Sequence, residues 1–249
     1  PYERLNPPDR ASTQVCMSQY PRYAIYFVPE ADSALYRFGA SLIGYDVYSG
    51  QRLAFPPGIE AEVESWERFT SDPRKYGFHA TLKAPIALAN GQTENGLIAA
   101  MDEFARTPRA IPVIAPTIRG ISSFIAIVPN AACVELQALA RDCVIAFDGF
   151  RAPLTAGDRE RRNVPALSER QIAYLDNWGY PYVLEEFRFH MTLVGSLTAH
   201  RMEATIAILR DRFSALELQS ASIDRLTLLR QEDADSRFKI IRHWPLRAA

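Results

Sequence analysis

The sequence predicts an α+β fold of two pseudo-symmetric lobes, each an antiparallel sheet with helices packed outside, around a central cleft. Three observations carry that expectation. Strand-like and helix-like stretches alternate without the Gly-rich turns of a dinucleotide fold. The pentapeptide Phe-His-Ala-Thr-Leu at residues 78–82 returns as Phe-His-Met-Thr-Leu at residues 189–193. Each copy is followed by an amphipathic helix and then by two strands that read as a hairpin, so the duplication extends to whole elements.

The elements follow in order. Residues 23–29, YAIYFVP, are aromatic and β-branched and end at proline, which reads as a strand. Residues 31–43 read as a helix with Leu35, Phe38, Leu42 and Ile43 on one face. A second helix is expected over 59–69, after the FPPG break. The first pentapeptide opens the strand FHATLKAPIAL. A helix over 94–106 follows, then the strands 111–121 and 123–129. Residues 132–147 have the strongest helical pattern, with Leu136, Leu139, Ala140, Cys143, Val144 and Phe147 recurring at helical spacing. The basic stretch 151–167 reads as a loop, and Ser168 with Gln171 has capping-box spacing for a short helix toward Asn177. The second pentapeptide opens another strand, followed by a helix over 199–214 and the strands 222–230 and 237–246.

Residues 21–249 are expected to form one two-lobed domain. Residues 1–20 read as a disordered or extension segment, because the first sixteen are polar and proline-containing and the first convincing strand comes after Met17. A charged fraction of 23% and a hydrophobic fraction of 48% fit a soluble globular protein. A net charge of −1 argues against duplex nucleic acid as a partner and leaves room for one small anion in a pocket. The three cysteines have no metal-ligand spacing, and no apolar run approaches a membrane span. A cytoplasmic location with no membrane partner is the expectation; protein partners are not indicated.

Only four histidines occur in 249 residues, and two sit in the same frame. At ordinary frequencies a given His has this Phe, Thr and Leu around it roughly once in several thousand cases. Strand alternation puts His79 and Thr81 on one face and Phe78 and Leu82 on the other; His190 and Thr192 likewise oppose Phe189 and Leu193. By the same parity, Lys83 and Arg188 join the polar faces as candidate phosphate contacts. Imidazoles can exchange protons near neutral pH, Thr hydroxyls can donate to phosphate oxygens, and cations can offset phosphate charge. Two histidines on opposite sides of a phosphorus centre suit in-line displacement with no metal and no cofactor.

The paired HATL and HMTL motifs resemble those of the 2H phosphoesterase superfamily, and the stretches RYAIYF, RKYGFHATLKAP and WGYPYVLEEFRFHMTLVGSL resemble its branch associated with phosphonate-utilisation operons, formerly a domain of unknown function. The resemblance runs from about Tyr23 to Leu246. It implies that His79, Thr81, His190 and Thr192 are catalytic, in a metal-independent hydrolase of a small anionic cyclic phosphodiester, with a cyclic ribose phosphate as one candidate. Its rivals are an RNA 2′,3′-cyclic phosphate end-processing enzyme and a non-catalytic phosphometabolite-binding protein.

For any single histidine on a strand, a hydrogen-bonded structural role is the commoner one; the duplicated frame reverses that preference. His200 and His243 read as surface or local structural residues. The RERR run at 159–162 reads as a solvated loop with a basic lid as its rival. Trp178, Tyr180 and Tyr182 read first as packing residues and second as a stacking wall.

Overall fold

The computed structural model describes residues 19–160, 162 and 164–249. The expected extension at residues 1–20 therefore lies outside the described residues, apart from Gln19 and Tyr20. The chain runs β1 (Arg22–Phe27), α1 (Ala34–Ile43), three short helices α2 (Ile59–Glu62), α3 (Trp66–Phe69) and α4 (Ser71–Tyr76), β2 (Ala80–Ala87) and α5 (Glu94–Arg106). It continues through β3 (Val113–Ile114), β4 (Pro116–Ile121), β5 (Phe124–Pro129), α6 (Val134–Ala146), α7 (Ala156–Glu160) and α8 (Glu169–Trp178). The last elements are β6 (Met191–Val194), α9 (Ala199–Ser214), β7 (Ala221–Ser222), β8 (Arg225–Gln231) and β9 (Lys239–Pro245).

The protein is α+β, with one antiparallel sheet of seven strands in the order β4-β5-β6-β2-β1-β8-β9, while β3 and β7 form a separate two-stranded ribbon. The separate sheet expected in each of two lobes is thus one continuous sheet. Its topology supplies the reason. The hairpin β4-β5, which follows the first pentapeptide, pairs with β6, the strand of the second. The hairpin β8-β9, which follows the second pentapeptide, pairs with β1 and so lies on the side of the first. Each half lends its hairpin across the middle, and neither half closes a sheet alone.

Local chemistry sets the boundaries. Ser33 caps α1 by accepting from the Tyr36 N–H, and Gly44 ends it at φ 72°. The helix expected over 59–69 is broken in two, because Val63 is extended and Ser65 adopts φ 65°. The strand expected over 111–121 is divided between β3 and β4 as Val113–Ile114 leaves to pair with β7. The capping box of Ser168 and Gln171 starts α8 as its spacing implied. The basic stretch contains the short helix α7.

The core runs along both motif strands. β1 lies inside the sheet between β2 and β8, and its Ala24, Ile25, Tyr26 and Phe27 are all buried. Phe78 and Phe189 are buried as well, the former with its ring in the slot left open at Gly39, where an added Cβ would stand 2.3 Å from it. None of the helices among the described residues is long and apolar enough to cross a membrane.

Candidate functional site

β2 and β6 meet at a single pair, Ala80 opposite Met191, and both of these side chains are fully buried. Antiparallel register continued one residue each way sets His79 across from Thr192 and Thr81 across from His190. Strand alternation then turns the four away from the buried face, and all four are half-buried. The two pentapeptides therefore adjoin, as a square of two imidazoles and two hydroxyls.

Both imidazoles are held alike. Nδ1 of His79 lies 2.8 Å from the carbonyl oxygen of Gly77, and Nδ1 of His190 lies 2.8 Å from that of Arg188. A carbonyl only accepts, so each Nδ1 carries a proton. Burial lowers the His79 pKa to about 4, against a smaller upward pull from the Gly77 bond, and nearby His190 adds to the lowering. His190 is lowered by burial too, opposed by its bond to Arg188. At neutral pH both rings are uncharged and present Nε2 as a hydrogen-bond acceptor. The Thr81 hydroxyl stands 3.4 Å from Nε2 of His79.

The surroundings of the two rings differ. His79 stacks on Tyr26, with centroids 3.8 Å apart and 20° between planes, and Tyr76 flanks it at 6.1 Å. His190 has Phe124 at 5.4 Å and 55°. Beside it opens a chamber of about 480 Å³, whose lining includes His190, Thr81, Arg188, Tyr180 and Tyr182. His79, Thr192 and Trp178 are not part of that lining.

Lys83 does not share the face of Thr81. The β1–β2 register slips between Tyr26, opposite Thr81, and Ile25, opposite Lys83. Consecutive residues of β1 face opposite ways, so this bulge at Leu82 cancels the alternation that parity assumes. The Lys83 ammonium is buried, 2.9 Å from both the Val144 carbonyl and Asp148 Oδ1. Arg151 clasps the same carboxylate with Nε and Nη2, at 2.9 and 3.1 Å, and donates to the Asn177 carbonyl at the end of α8. Desolvation would raise the Asp148 pKa, but its bonds to Arg151 and Lys83 outweigh that and lower it. This network ties β2 to the segment that leads into Tyr180, and neither Asp148 nor Arg151 was marked in the sequence by any motif.

Arg188 is exposed at the chamber's edge. His200 is exposed at the start of α9, and His243 is exposed on β9. In the basic run, Arg159 pairs with Asp176 and Arg162 lies over the Tyr180 ring at 4.7 Å; Arg161 lies outside the described residues.

The family model described as "Protein of unknown function (DUF1045)" matches residues 81–239. The chain belongs to the DUF1045 family. This bears out the expectation of a family catalogued under unknown function. Two curated relatives of this DUF1045 chain carry a more specific name. The ribose 1,5-bisphosphate phosphokinase PhnN of Janthinobacterium sp. (strain Marseille) is 37% identical over 217 residues, which is 85% of this chain and 48% of the relative. The protein of the same name from Laribacter hongkongensis (strain HLHK9) is 30% identical over 224 residues, 89% of this chain and 51% of the relative. The chain spans about half the length of the curated relatives it matches.

Those names overturn the expected reaction. A phosphokinase transfers a phosphoryl group, whereas the motif pair was read as hydrolysing a cyclic phosphodiester; the hydrolase reading and its RNA-end variant are withdrawn. The motif residues are compatible with either chemistry, since Thr hydroxyls and uncharged imidazoles recognise phosphates and hydroxyls whatever happens at phosphorus. The sequence has two G-x-x-x-x-G runs, at 39–44 and 91–96, and Lys follows neither.

Proposed function

We propose that the face formed by His79, Thr81, His190 and Thr192 binds a small phosphorylated ribose as the acceptor in a phosphokinase-type reaction. One observation carries the reading: the Ala80–Met191 pairing brings both pentapeptides together with each imidazole held through Nδ1 at 2.8 Å and its Nε2 left as an acceptor. Thr81 and Thr192 donate to non-bridging phosphate oxygens, and Arg188 at the rim offsets their charge. Uncharged Nε2 atoms accept from ribose hydroxyls, which a charged imidazolium could not do. Lys83 takes no part, because its ammonium is committed to Asp148.

The names of the relatives supply the substrate class, and their PhnN designation agrees with the phosphonate-utilisation link that the resemblance implied. We carry the 2H likeness forward as a statement about site ancestry: two motif strands related by a pseudo-twofold axis, in a described region that forms one two-lobed domain. A cytoplasmic setting accords with a metabolic role of this kind.

The test is a titration with ribose 1,5-bisphosphate followed through imidazole ¹⁵N shifts. His79 and His190 should move together and saturate at one ligand per chain, while His200 and His243 stay still. No binding, or shifts confined to His200 and His243, would sink the reading.

A further inference from the structure

At the far end of β2 from Thr81, a cavity of about 30 Å³ is walled by the arginines Arg22, Arg151 and Arg162, with Asp158 as the one carboxylate in its lining. Arg151 is already matched, since Asp148 holds its Nε and Nη2. Asp158 is engaged as well: its Oδ2 accepts from the N–H and the hydroxyl of Thr155, at 2.9 and 2.7 Å. The other two guanidiniums have no carboxylate at ion-pair distance among the described residues. Arg22 donates from Nε and Nη2 to Gln231 Oε1, at 3.0 and 2.5 Å. Gln231 is fully buried and is fixed in turn by its own donation to the Ser236 carbonyl. A neutral amide thus aims this guanidinium without cancelling its charge, and Nη1 keeps its donors unspent. Arg162 lies over the Tyr180 ring at 4.7 Å, a contact that holds the cation and offers its N–H groups no lone pair. Burial raises the Tyr26 hydroxyl well above the ordinary tyrosine pKa, and Arg22 and Arg162 both pull against it, which gathers the two charges around one point.

We propose that this cavity is a binding site for one small tetrahedral oxyanion, of the phosphate or sulfate class, held between Arg22 and Arg162. Arginine keeps its proton in proteins, so two unmatched guanidiniums on one small cavity repel each other until an anion lies between them. They meet such an anion with paired N–H donors, a stronger and more directional contact than a point charge gives. The cavity's size sets the ligand class. Small-molecule sites usually span roughly 300–1,000 Å³, and a space of about 30 Å³ has no room for a sugar bisphosphate. The site therefore differs from the motif face in its ligand as well as in its place. Its occupancy is felt at the chamber beside His190. Gly179 lines the cavity, and the next residue, Tyr180, lies under Arg162 and lines the chamber. An anion that draws Arg162 inward shifts what rests on that wall.

The experiment titrates the protein with inorganic phosphate at low salt and reads two sets of ¹⁵N resonances. The Nε–H signals of Arg22 and Arg162 report the cavity; the imidazole signals of His79 and His190 report the motif face, which phosphate also suits. In the Thr81→Val/Thr192→Val double variant the arginine signals should still move and saturate, and sulfate should act in the same way. Arg22→Gln and Arg162→Gln should each weaken this binding by about fivefold or more, through loss of a charge-assisted contact. Arg119→Gln, which removes an exposed arginine bonded to Asn130, should change it by about twofold at most. If Arg22→Gln does not fold, Arg162→Gln decides. The Tyr180 ring signals should follow the same isotherm, and a still Tyr180 would overturn the link to the chamber. Arginine signals that stay still throughout, or an affinity unchanged in Arg162→Gln, would overturn the site. Tighter binding of ribose 5-phosphate than of inorganic phosphate at these arginines would overturn its restriction to a small oxyanion. Still imidazoles beside moving arginines would count against the motif face alone and leave the cavity site standing.

Discussion

The two pentapeptide copies share a backbone arrangement and differ in almost everything around it. In both, the imidazole is fixed by a carbonyl two residues upstream at the same 2.8 Å. In the first copy that carbonyl belongs to Gly77, at φ 79°, where an added Cβ would stand 2.7 Å from Val47. In the second it belongs to Arg188, an ordinary exposed residue. The first imidazole is sandwiched against Tyr26; the second borders the chamber. The two copies share the device that aims the ring and differ in their walls. On the proposed reading, equivalent residues would take unequal tasks, with the first copy as the rigid side of the site and the second as the side that admits a ligand.

The largest effect that could break this contrast is on stability. Phe78→Ala should cost about 3–5 kcal/mol, as for other buried Phe truncations. Its ring is fully buried and fills the slot at Gly39. Phe189→Ala should cost less, since that ring retains slight exposure and meets Phe27 only in a tilted contact at 6.4 Å. Urea denaturation of both variants measures the difference. Equal losses would mean that the first copy is no more rigid than the second.

Next in size is the acid limb. The folded pKa of His79 is about 4 against an ordinary 6.5, so between those values the unfolded chain binds more protons than the folded one. The contribution is fully present above pH 6.5 and is lost as pH falls toward 4, to a limit of roughly 3 kcal/mol. His79→Gln should therefore lose less stability than the native protein between pH 7 and pH 4. His190→Gln should flatten that limb in the same direction. If His79→Gln leaves the acid limb unchanged, burial does not hold the ring uncharged.

These contrasts mark where the sequence was readable and where it was not. Periodicity revealed the helices over 94–106 and 199–214, because burying one stripe of a helix leaves a pattern at 3.6 residues. The repeated frame revealed the four motif residues, because the same backbone task twice over leaves strings alike at all but one position. Lys83 was misplaced since a bulge changes which face a residue takes without changing any residue type. The exchange of hairpins between halves was hidden, because strand pairing is a long-range choice and the strings of β5 and β8 do not name their neighbours. The chamber draws on β2, β4, β5, α6, α8 and the residues before β6, six segments that no local pattern joins. The reaction itself was not legible. Donors and acceptors that recognise phosphate serve hydrolysis and transfer equally, so the phosphoryl transfer named for the relatives leaves no mark of its own in the motif residues.

A smaller effect sharpens the comparison at the ligand. Thr81→Val and Thr192→Val should each weaken ribose 1,5-bisphosphate by roughly tenfold or more, one hydrogen bond to a charged acceptor being worth about 1.5–3 kcal/mol. Calorimetry of both variants would show whether the copies contribute alike. A silent Thr192 beside a damaging Thr81 would place the phosphate wholly on the chamber side, and two silent variants would remove the phosphate from the motif face.

The smallest expected effect belongs to Arg188, the residue in which the two copies differ most openly. Its counterpart Gly77 has no side chain, so any charge offered at this position comes from the second copy alone. Arg188 is exposed at the chamber's edge, where water and salt screen its field and an ion pair is worth at most about 1 kcal/mol. Arg188→Ala should therefore weaken ribose 1,5-bisphosphate only about two- to fivefold, and most of the difference should vanish at 0.5 M salt. Because the Arg188 backbone carbonyl remains to hold His190, the imidazole ¹⁵N shifts of the free protein should not change. A large loss that persists in high salt would mean that the guanidinium closes onto the phosphate and is dehydrated there, making the second copy the principal anion site. No loss at either salt concentration would leave the rim charge without a part in binding, and the anion would rest on the two threonines.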